Sequence, residues 1–506
     1  MLKFCNRLSI FFCLVGCRTL PSLDQRSVST AFRDTDSTAM GQTIVPLSAR
    51  HEGKSGIYSL RQARQAFAAR ILLAQAAERS LDIQYYIWHQ DTTGILLLES
   101  IQAAADRGVR VRLLLDDNNT SGMDPLLKVL DAHPNIEVRL FNPFLIRGPR
   151  WMGYVTDFRR LNRRMHNKSF TADNQATIIG GRNVGDEYFG VTTDMLFVDL
   201  DVLAVGPIVK DVSKDFDRYW ASQSAYPANL ILDDEQPQAD IAATAGNIRR
   251  SAEAQDYLDT VRSSTFVQEL KNGQLNLEWA GTYMVSDDPA KGLGKAPPKS
   301  MLLQRLRDAM GPVEQRMDIV SPYFVPTDDG VDAFAALAAQ GVKIRVLTNA
   351  LEATDVAVVH AGYAKYRKPL LQLNVELYEF RNATPRIQTE GIGRGSSQTS
   401  LHAKTMGIDV NRIFIGSFNF DPRSADLNTE LGFVIDSPNL ARDIQSVFDR
   451  RIDHQAYEVR LADDGGLYWI GLRDGREVRL DEEPGTGFWL RLGLKIMSWL
   501  PIEWLL

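Results

Sequence analysis

Five polar residues occur twice in this chain at one internal spacing: His166, Lys168, Asp173, Asn183 and Asp194 are matched by His402, Lys404, Asp409, Asn419 and Glu430. Counted from each histidine the partners fall at +2, +7, +17 and +28, and both copies place a glycine at +14, Gly180 and Gly416. One histidine two residues before a lysine is an ordinary surface strand. A five-point match between segments 236 residues apart points to a duplicated half-site. Residues i and i+2 of a strand share a face, so each imidazole stands beside a fixed ammonium. Two such faces suit a phosphodiester: one imidazole attacks phosphorus, and the other protonates the leaving oxygen and later deprotonates an acceptor. The lysines and asparagines are then placed to stabilise charge on the phosphoryl oxygens. Asp194 and Glu430 suit the orienting role in which a carboxylate fixes an imidazole tautomer, and Asp173 and Asp409 suit structural ties. This scheme calls for no metal and no cofactor.

The strings HNKSFTAD (166 to 173) and HAKTMGID (402 to 409), followed by GGRN and GSFN, resemble the paired HxKxxxxD motifs of the phospholipase D superfamily. The flanking strings GGRNVGDEYF, FVDLDVLAVGP, FDPRSADLNTELG and LPIEWLL are most similar to bacterial cardiolipin synthases of the C type. The resemblance implies an enzyme, a phosphatidyltransferase joining two phospholipids into cardiolipin through a phosphohistidine. By analogy it makes His166 the nucleophile and His402 the general acid and base, although the symmetry of the motifs allows the roles to be exchanged. Hydrolysis through the same intermediate, by a phospholipase or an exported nuclease, is the alternative within the class. A silent lipid-binding protein of the envelope is the alternative outside it. The implied partners are phospholipids and a membrane surface, with no nucleic acid expected. A helper protein and the oligomeric state are not legible.

These residues must be carried by a large fold. The chain has 506 residues, 44% hydrophobic and 24% charged, enough for two cores. Its net charge of −6 offers no global attraction to polyanions, so phosphate must be met by a local cluster. Arg147, Arg150, Arg159, Arg160, Arg163 and Arg164 lead into His166 and read either as a solvated helix face or as a basic collar around the site. LDIQYYIW (81 to 88), a helix through ILLLESIQAAADRG and the strand VRVRLLLDD (109 to 117) are repeated as DIVSPYF (318 to 324), VDAFAALAAQG and VKIRVLTNA (342 to 350). Strand–helix–strand units of this kind predict an α/β fold of two pseudo-symmetric halves, each a mixed, mostly parallel sheet flanked by helices, with the active site at their seam. The halves span 57–227 and 301–453, joined by a connecting segment, 228–300. The stretch PRIQTEGIGRGSSQTS (385 to 400) reads as a mobile loop near the entrance rather than a nucleotide loop, since no helix opens after its glycines. His89, His133, His360 and His454 lack a repeated partner and read as structural, as do Tyr188 and Phe189.

The ends suggest where the protein works. Lys3 and Arg7 precede the apolar run LSIFFCLVG, and Leu14-Val15-Gly16-Cys17 has the form of a lipobox, so residues 1–17 read as a lipoprotein-type signal with Cys17 as the lipidation site. All three cysteines lie in this leader, which fits export. Arg18 after the cysteine resembles sorting to the outer membrane, giving a lipid-anchored protein of the bacterial cell envelope on the periplasmic face. Residues 18–56 read as an aperiodic tether. At the far end, 454–506, a hairpin turning at Asp474-Gly475 precedes TGFWLRLGLKIMSWLPIEWLL, read as a capping helix or one lying in the membrane interface.

Overall fold

Leu81, Ile83 and Tyr85 alternate with Asp82 and Gln84 along one strand, and all five side chains are buried. A strand covered on both faces belongs at the centre of a sheet. In the computed structural model, which describes residues 19–191, 195–233, 239–382, 398–450, 452–473, 475–487, 489, 491 and 493, this strand, Ser80–Ile87, is central to a nine-stranded sheet. It pairs in parallel with Arg110–Asn119, which pairs in parallel with Ile136–Phe141. The second half repeats the unit: Arg316–Val320, Lys343–Asn349 and Glu376–Phe380 are the parallel strands of a ten-stranded sheet. Buried bidentate pairs mark the equivalence, Arg112 with Asp82 in one sheet and Arg345 with Asp318 in the other.

Parallel pairing stops there, so the two sheets are mixed rather than mostly parallel. Beside each parallel trio lies a hairpin, Ser169–Ala172 with Ala176–Gly180 and Thr405–Ile408 with Arg412–Gly416. Strands joined by so short a turn can only run antiparallel. Each hairpin is followed by a further antiparallel strand, Asp201–Val205 or Leu431–Ile435. Gly180 and Gly416 sit where hairpin and following strand approach; a Cβ on Gly180 would stand 2.3 Å from Asp201 Oδ1, and one on Gly416 2.5 Å from Leu431 O.

These outer strands bring the halves together. Ile57, Ile179, Val202 and Ala204 of the first half and Ile413, Ile415, Phe433 and Ile435 of the second form one buried apolar cluster. Each large aliphatic side chain so buried contributes about 1.5–3 kcal/mol. The connecting segment is part of this joint, since Glu278–Ala280 edges the first sheet and Thr282–Ser286, after Gly281, edges the second.

One expectation about the ends is revised. Residues 19–50 are no tether: Ser29 accepts from Trp220 Nε1, Arg26 donates to the carbonyls of Ser222 and Ala225, Thr35 is buried, and Ala39–Ala49 is a helix capped by Thr38. The stretch has no repeating apolar period because it binds the first half through hydrogen bonds. The expected hairpin, Leu467–Arg473 with Arg476–Leu480, extends the second sheet, with Arg476–Leu480 at its edge. Residues 1–18 with Cys17, and nearly all of the apolar segment after 487, lie outside the described residues. No helix among the described residues is long and apolar enough to cross a membrane.

Candidate functional site

Each HxK segment leads into its hairpin, and the hairpin turn is tied at the far end. Asp173 and Asp409 adopt left-handed backbone conformations at φ 52° and 50°. The Asp173 carboxylate accepts the backbone N–H of Glu78, Arg79 and Ser80. The Asp409 carboxylate accepts those of Glu314, Gln315 and Arg316. Both aspartates therefore anchor the turn to the start of the neighbouring parallel strand, away from the imidazoles.

The near end is fixed crosswise. His166 N–H donates to the Thr429 carbonyl at 2.9 Å, and His402 N–H to the Val198 carbonyl at 2.8 Å. Gln398–Leu401, just before His402, pairs with Met195–Val198 of the other half as a two-stranded ribbon. The carboxylate after each of these carbonyls holds the imidazole: His166 Nδ1 lies 2.8 Å from Glu430 Oε2, and His402 Nδ1 lies 2.6 Å from Asp199 Oδ2. Each half thus orients the other half's histidine. With Nδ1 engaged by a carboxylate, Nε2 is the nitrogen left for chemistry. Each histidine is 6% exposed, so the pair sits at the floor of the seam.

Glu430 stands where its spacing placed it, but the orienting acid of the first half is Asp199. Asp194 lies outside the described residues. The acid follows Asn183 by sixteen residues in the first half and Asn419 by eleven in the second, so the repeat slips by five residues. The legible signal was position relative to the next strand: Glu430 directly precedes Leu431–Ile435, and Asp199 stands just before Asp201–Val205.

Lys168 Nζ and Lys404 Nζ are buried and donate to the carbonyls of His166 and His402, at 2.6 and 2.5 Å. The asparagines differ. Asn183 is engaged, accepting from Ile87 N–H and donating to the Tyr188 hydroxyl at 3.0 Å. Asn419 Oδ1 is buried with no partner among the described residues. Three rings missed by spacing wall the imidazoles: Tyr86 lies edge-on to His166, and Tyr188 and Phe197 pack on His402. In the second half the Tyr323 hydroxyl donates to Asp355 at 2.8 Å. Aromatic residues next to short polar motifs carry no period, which is why the sequence read Tyr188 as structural and did not single out Tyr86 or Phe197.

Burial dominates the electrostatics. It pushes Lys168 down to about 7 and Lys404 to about 8. Desolvation and then the charges of Lys168 and Lys404 hold His166 well below its usual value. His402 is also lowered by burial and Lys404, but Asp199 works against that shift. The two acids part company. Burial raises Glu430 to about 7 against the opposing pull of Lys168, whereas the charges of His402, Lys404 and Arg182 outweigh the burial of Asp199 and hold it below the usual carboxylate range.

Most of the expected basic collar is spoken for. Arg164 is buried on Asp116, Arg147 pairs with Asp117 and Asp124, Arg150 contacts the same two acids, and Arg160 pairs with Asp157. Arg163 donates to the Asp426 carbonyl. Arg164, Arg147 and Arg150 brace the turn before His166 on Asp116 and Asp117 at the end of a parallel strand and on Asp124 at the start of the helix Asp124–Asp131, and Arg159 alone of the six is exposed. The loop expected at 385–400 lies outside the described residues through 397.

Among the described residues one set of His, Asp and Glu donor atoms converges as a metal would require, His89, Asp91 and Glu187. It is separate from the paired site, and its Asp91 is already occupied as a helix cap and by Asp186 N–H. A cleft of about 500 Å³ among Phe67, Leu72, Leu96 and Leu258 contains no residue of either motif. Carboxylate-held imidazoles, rather than cavity size, locate the chemistry.

Comparison with known proteins matches each of the two halves. A family model described as "Cardiolipin synthase, PLD-like domain" matches residues 71–220 and 302–452, one match per half. The chain is 51% identical to Cardiolipin synthase C of Escherichia coli (strain K12) over 471 residues, 92% of this chain and 99% of that one. It is 23% identical to Cardiolipin synthase A of Klebsiella pneumoniae over 82% of this chain and 74% of that one. Among solved structures, the phosphatidylserine synthase of Haemophilus influenzae superposes with a TM-score of 0.56 at 12% identity, covering 92% of this chain and all of the other, a likeness of fold.

Proposed function

Because the chain belongs to the cardiolipin synthase family of phospholipase D-like proteins, we propose that its paired site transfers a phosphatidyl group from one phospholipid to the headgroup hydroxyl of another, forming cardiolipin. The observation that carries this is the crosswise arrangement: two imidazoles share one buried seam, each held at Nδ1 by the other half's carboxylate. A single half contains neither a complete pair nor a second proton carrier.

The electrostatic difference between the pairs supports distinct roles. His166 is strongly disposed to be neutral and its partner Glu430 is raised to about 7, so its Nε2 lone pair is available to attack phosphorus. Asp199 is disposed to stay ionised and stabilises a proton on His402, which suits the acid. In the first step the bond from phosphorus to the donor headgroup oxygen breaks, a bond from phosphorus to His166 Nε2 forms, and His402 gives its proton to the leaving oxygen. In the second, His402 takes the proton of the acceptor hydroxyl, that oxygen attacks phosphorus, and the bond to His166 breaks. Lys168 and Lys404 lie beside both imidazoles to offset charge on the phosphoryl oxygens. Asn419 is freer than Asn183 to turn toward them.

We further propose export and lipid anchoring at Cys17, with outer-membrane sorting. The lipobox-like Leu14–Cys17 and the restriction of cysteine to the leader support this. The test of function is mass spectrometry of products from the purified full-length protein given mixed phospholipids or DNA. Cardiolipin should form with the wild type and not with His402→Ala. Phosphatidic acid alone, or cleaved DNA, would replace transfer by hydrolysis.

A further inference from the structure

The helix Trp151–Leu161, just upstream of His166, has an inward and an outward side. Gly153 and Leu161 are buried, with Gly153 against Phe144 and Leu161. Tyr154 also faces inward: its hydroxyl donates to Asn118 Oδ1 at 2.7 Å and its ring lies edge-on to Phe144. Trp151 and Val155, four residues apart on one face, are 65% and 77% exposed, and Phe158, beyond a kink at Asp157, is 41% exposed. No other helix among the described residues bears two exposed large apolar side chains. Scattered exposed apolar residues need no explanation, but a cluster on one element does.

The cluster borders the catalytic seam. Arg423 of the opposite half donates to Asn162, the residue directly after the helix, and its charge bears on His166. Arg163, just past the helix, donates to the Asp426 carbonyl of the opposite half and so fixes this helix at the rim. Arg159, the one exposed arginine of the six before His166, follows Phe158 and gives this apolar face a cationic edge in a chain of net charge −6.

We propose that this helix is the surface through which the protein docks on a phospholipid bilayer, with Trp151 at headgroup depth, Val155 and Phe158 at the acyl boundary and Arg159 among lipid phosphates. An apolar face with a cationic edge is the combination that anionic bilayers bind. The proposal rests on the phospholipid-transfer reading and names the face that brings the site to its substrate.

The test compares two substrates with the full chain: anionic phospholipid vesicles and short-chain phospholipid dispersed as monomers. In a Trp151→Ser/Val155→Ser/Phe158→Ser variant, kcat/KM on vesicles should fall about tenfold or more, with turnover of monomers unchanged. Val155→Asp should act in the same direction, while Val410→Asp, at an exposed site on the second half, should not. All variants carry the same N terminus, so any anchor contributes equally. An unchanged vesicle-to-monomer ratio in both Val155→Asp and the triple variant overturns the docking surface; if the triple variant unfolds, the Val155→Asp ratio decides alone. A defect seen only in cells, with vesicle turnover intact, assigns the face to a protein partner and also overturns it. A wild type inactive on both substrates refutes the transfer reading instead.

Discussion

The two half-sites have the same geometry and different electrostatics. In each, a histidine N–H meets a carbonyl of the opposite half and Nδ1 meets the carboxylate that follows. Glu430 also accepts from the Ser417 hydroxyl and shares its pocket with Asp287, an acid itself raised to about 6 by burial. Asp199 has Lys404, His402 and Arg182 around it and stays charged. Duplication kept the contacts and let the surroundings diverge, and the proposed division into an attacking and a proton-carrying imidazole rests on that divergence.

The largest expected effect leaves the comparison symmetric. His166→Ala and His402→Ala should each reduce steady-state transfer by about 10⁴-fold, because residues acting as a unit fail together. A variant retaining a tenth of wild-type turnover would remove that histidine from the chemistry. The orienting acids should break the symmetry. Asp199→Asn removes a charge that stabilises the His402 proton and should cost on the order of 10²-fold in kcat, whereas Glu430→Gln imitates an acid already near neutrality and should cost about tenfold. Equal losses would mean the two surroundings are functionally the same.

Stability should divide the turns. Asp173 is fully buried, so Asp173→Ala leaves three backbone N–H groups unpaired and should destabilise the fold by roughly 2–3 kcal/mol in denaturant titrations; Asp409, at a more exposed turn, should cost about 1 kcal/mol. The pH profile gives the finest comparison. His402, which must carry a proton in the first step, is lowered from its ordinary value by burial and Lys404, and Lys168 and Lys404, lowered by burial to about 7 and 8, lose their protons next, so transfer should decline as pH rises through the histidine range and that window. The acid limb should lie below the ordinary histidine range, because His166 stays neutral well below it. Asp199 raises both Lys404 and His402, so Asp199→Asn should move the alkaline limb to lower pH. A limb left in place would show that Asp199 does not set these charges.

How far the sequence led can be judged at particular residues. The two halves, Asp82 with Asp318, and the histidine–lysine pairs followed from one offset, since an internal repeat records shared local geometry. Asp199 was hidden by a five-residue slip, because contact across a seam constrains position in space and not spacing along the chain. Antiparallel hairpins were hidden because apolar strands read alike in either direction. The arginines before His166 looked like a phosphate collar, and their carboxylate partners Asp116 and Asp117 at a strand end and Asp124 at the start of the following helix are linked to them by no local pattern.

The difference between half-sites is tested most directly by locating the covalent intermediate. The full-length protein is quenched during turnover of a donor phospholipid and its peptides are mapped by mass spectrometry under conditions that preserve phosphohistidine. Phosphatidyl on His166 in the wild type, accumulating in His402→Ala and absent from His166→Ala, is the predicted result. The adduct on His402 alone would reverse the roles assigned to the two surroundings, and an adduct on neither histidine would contradict the mechanism.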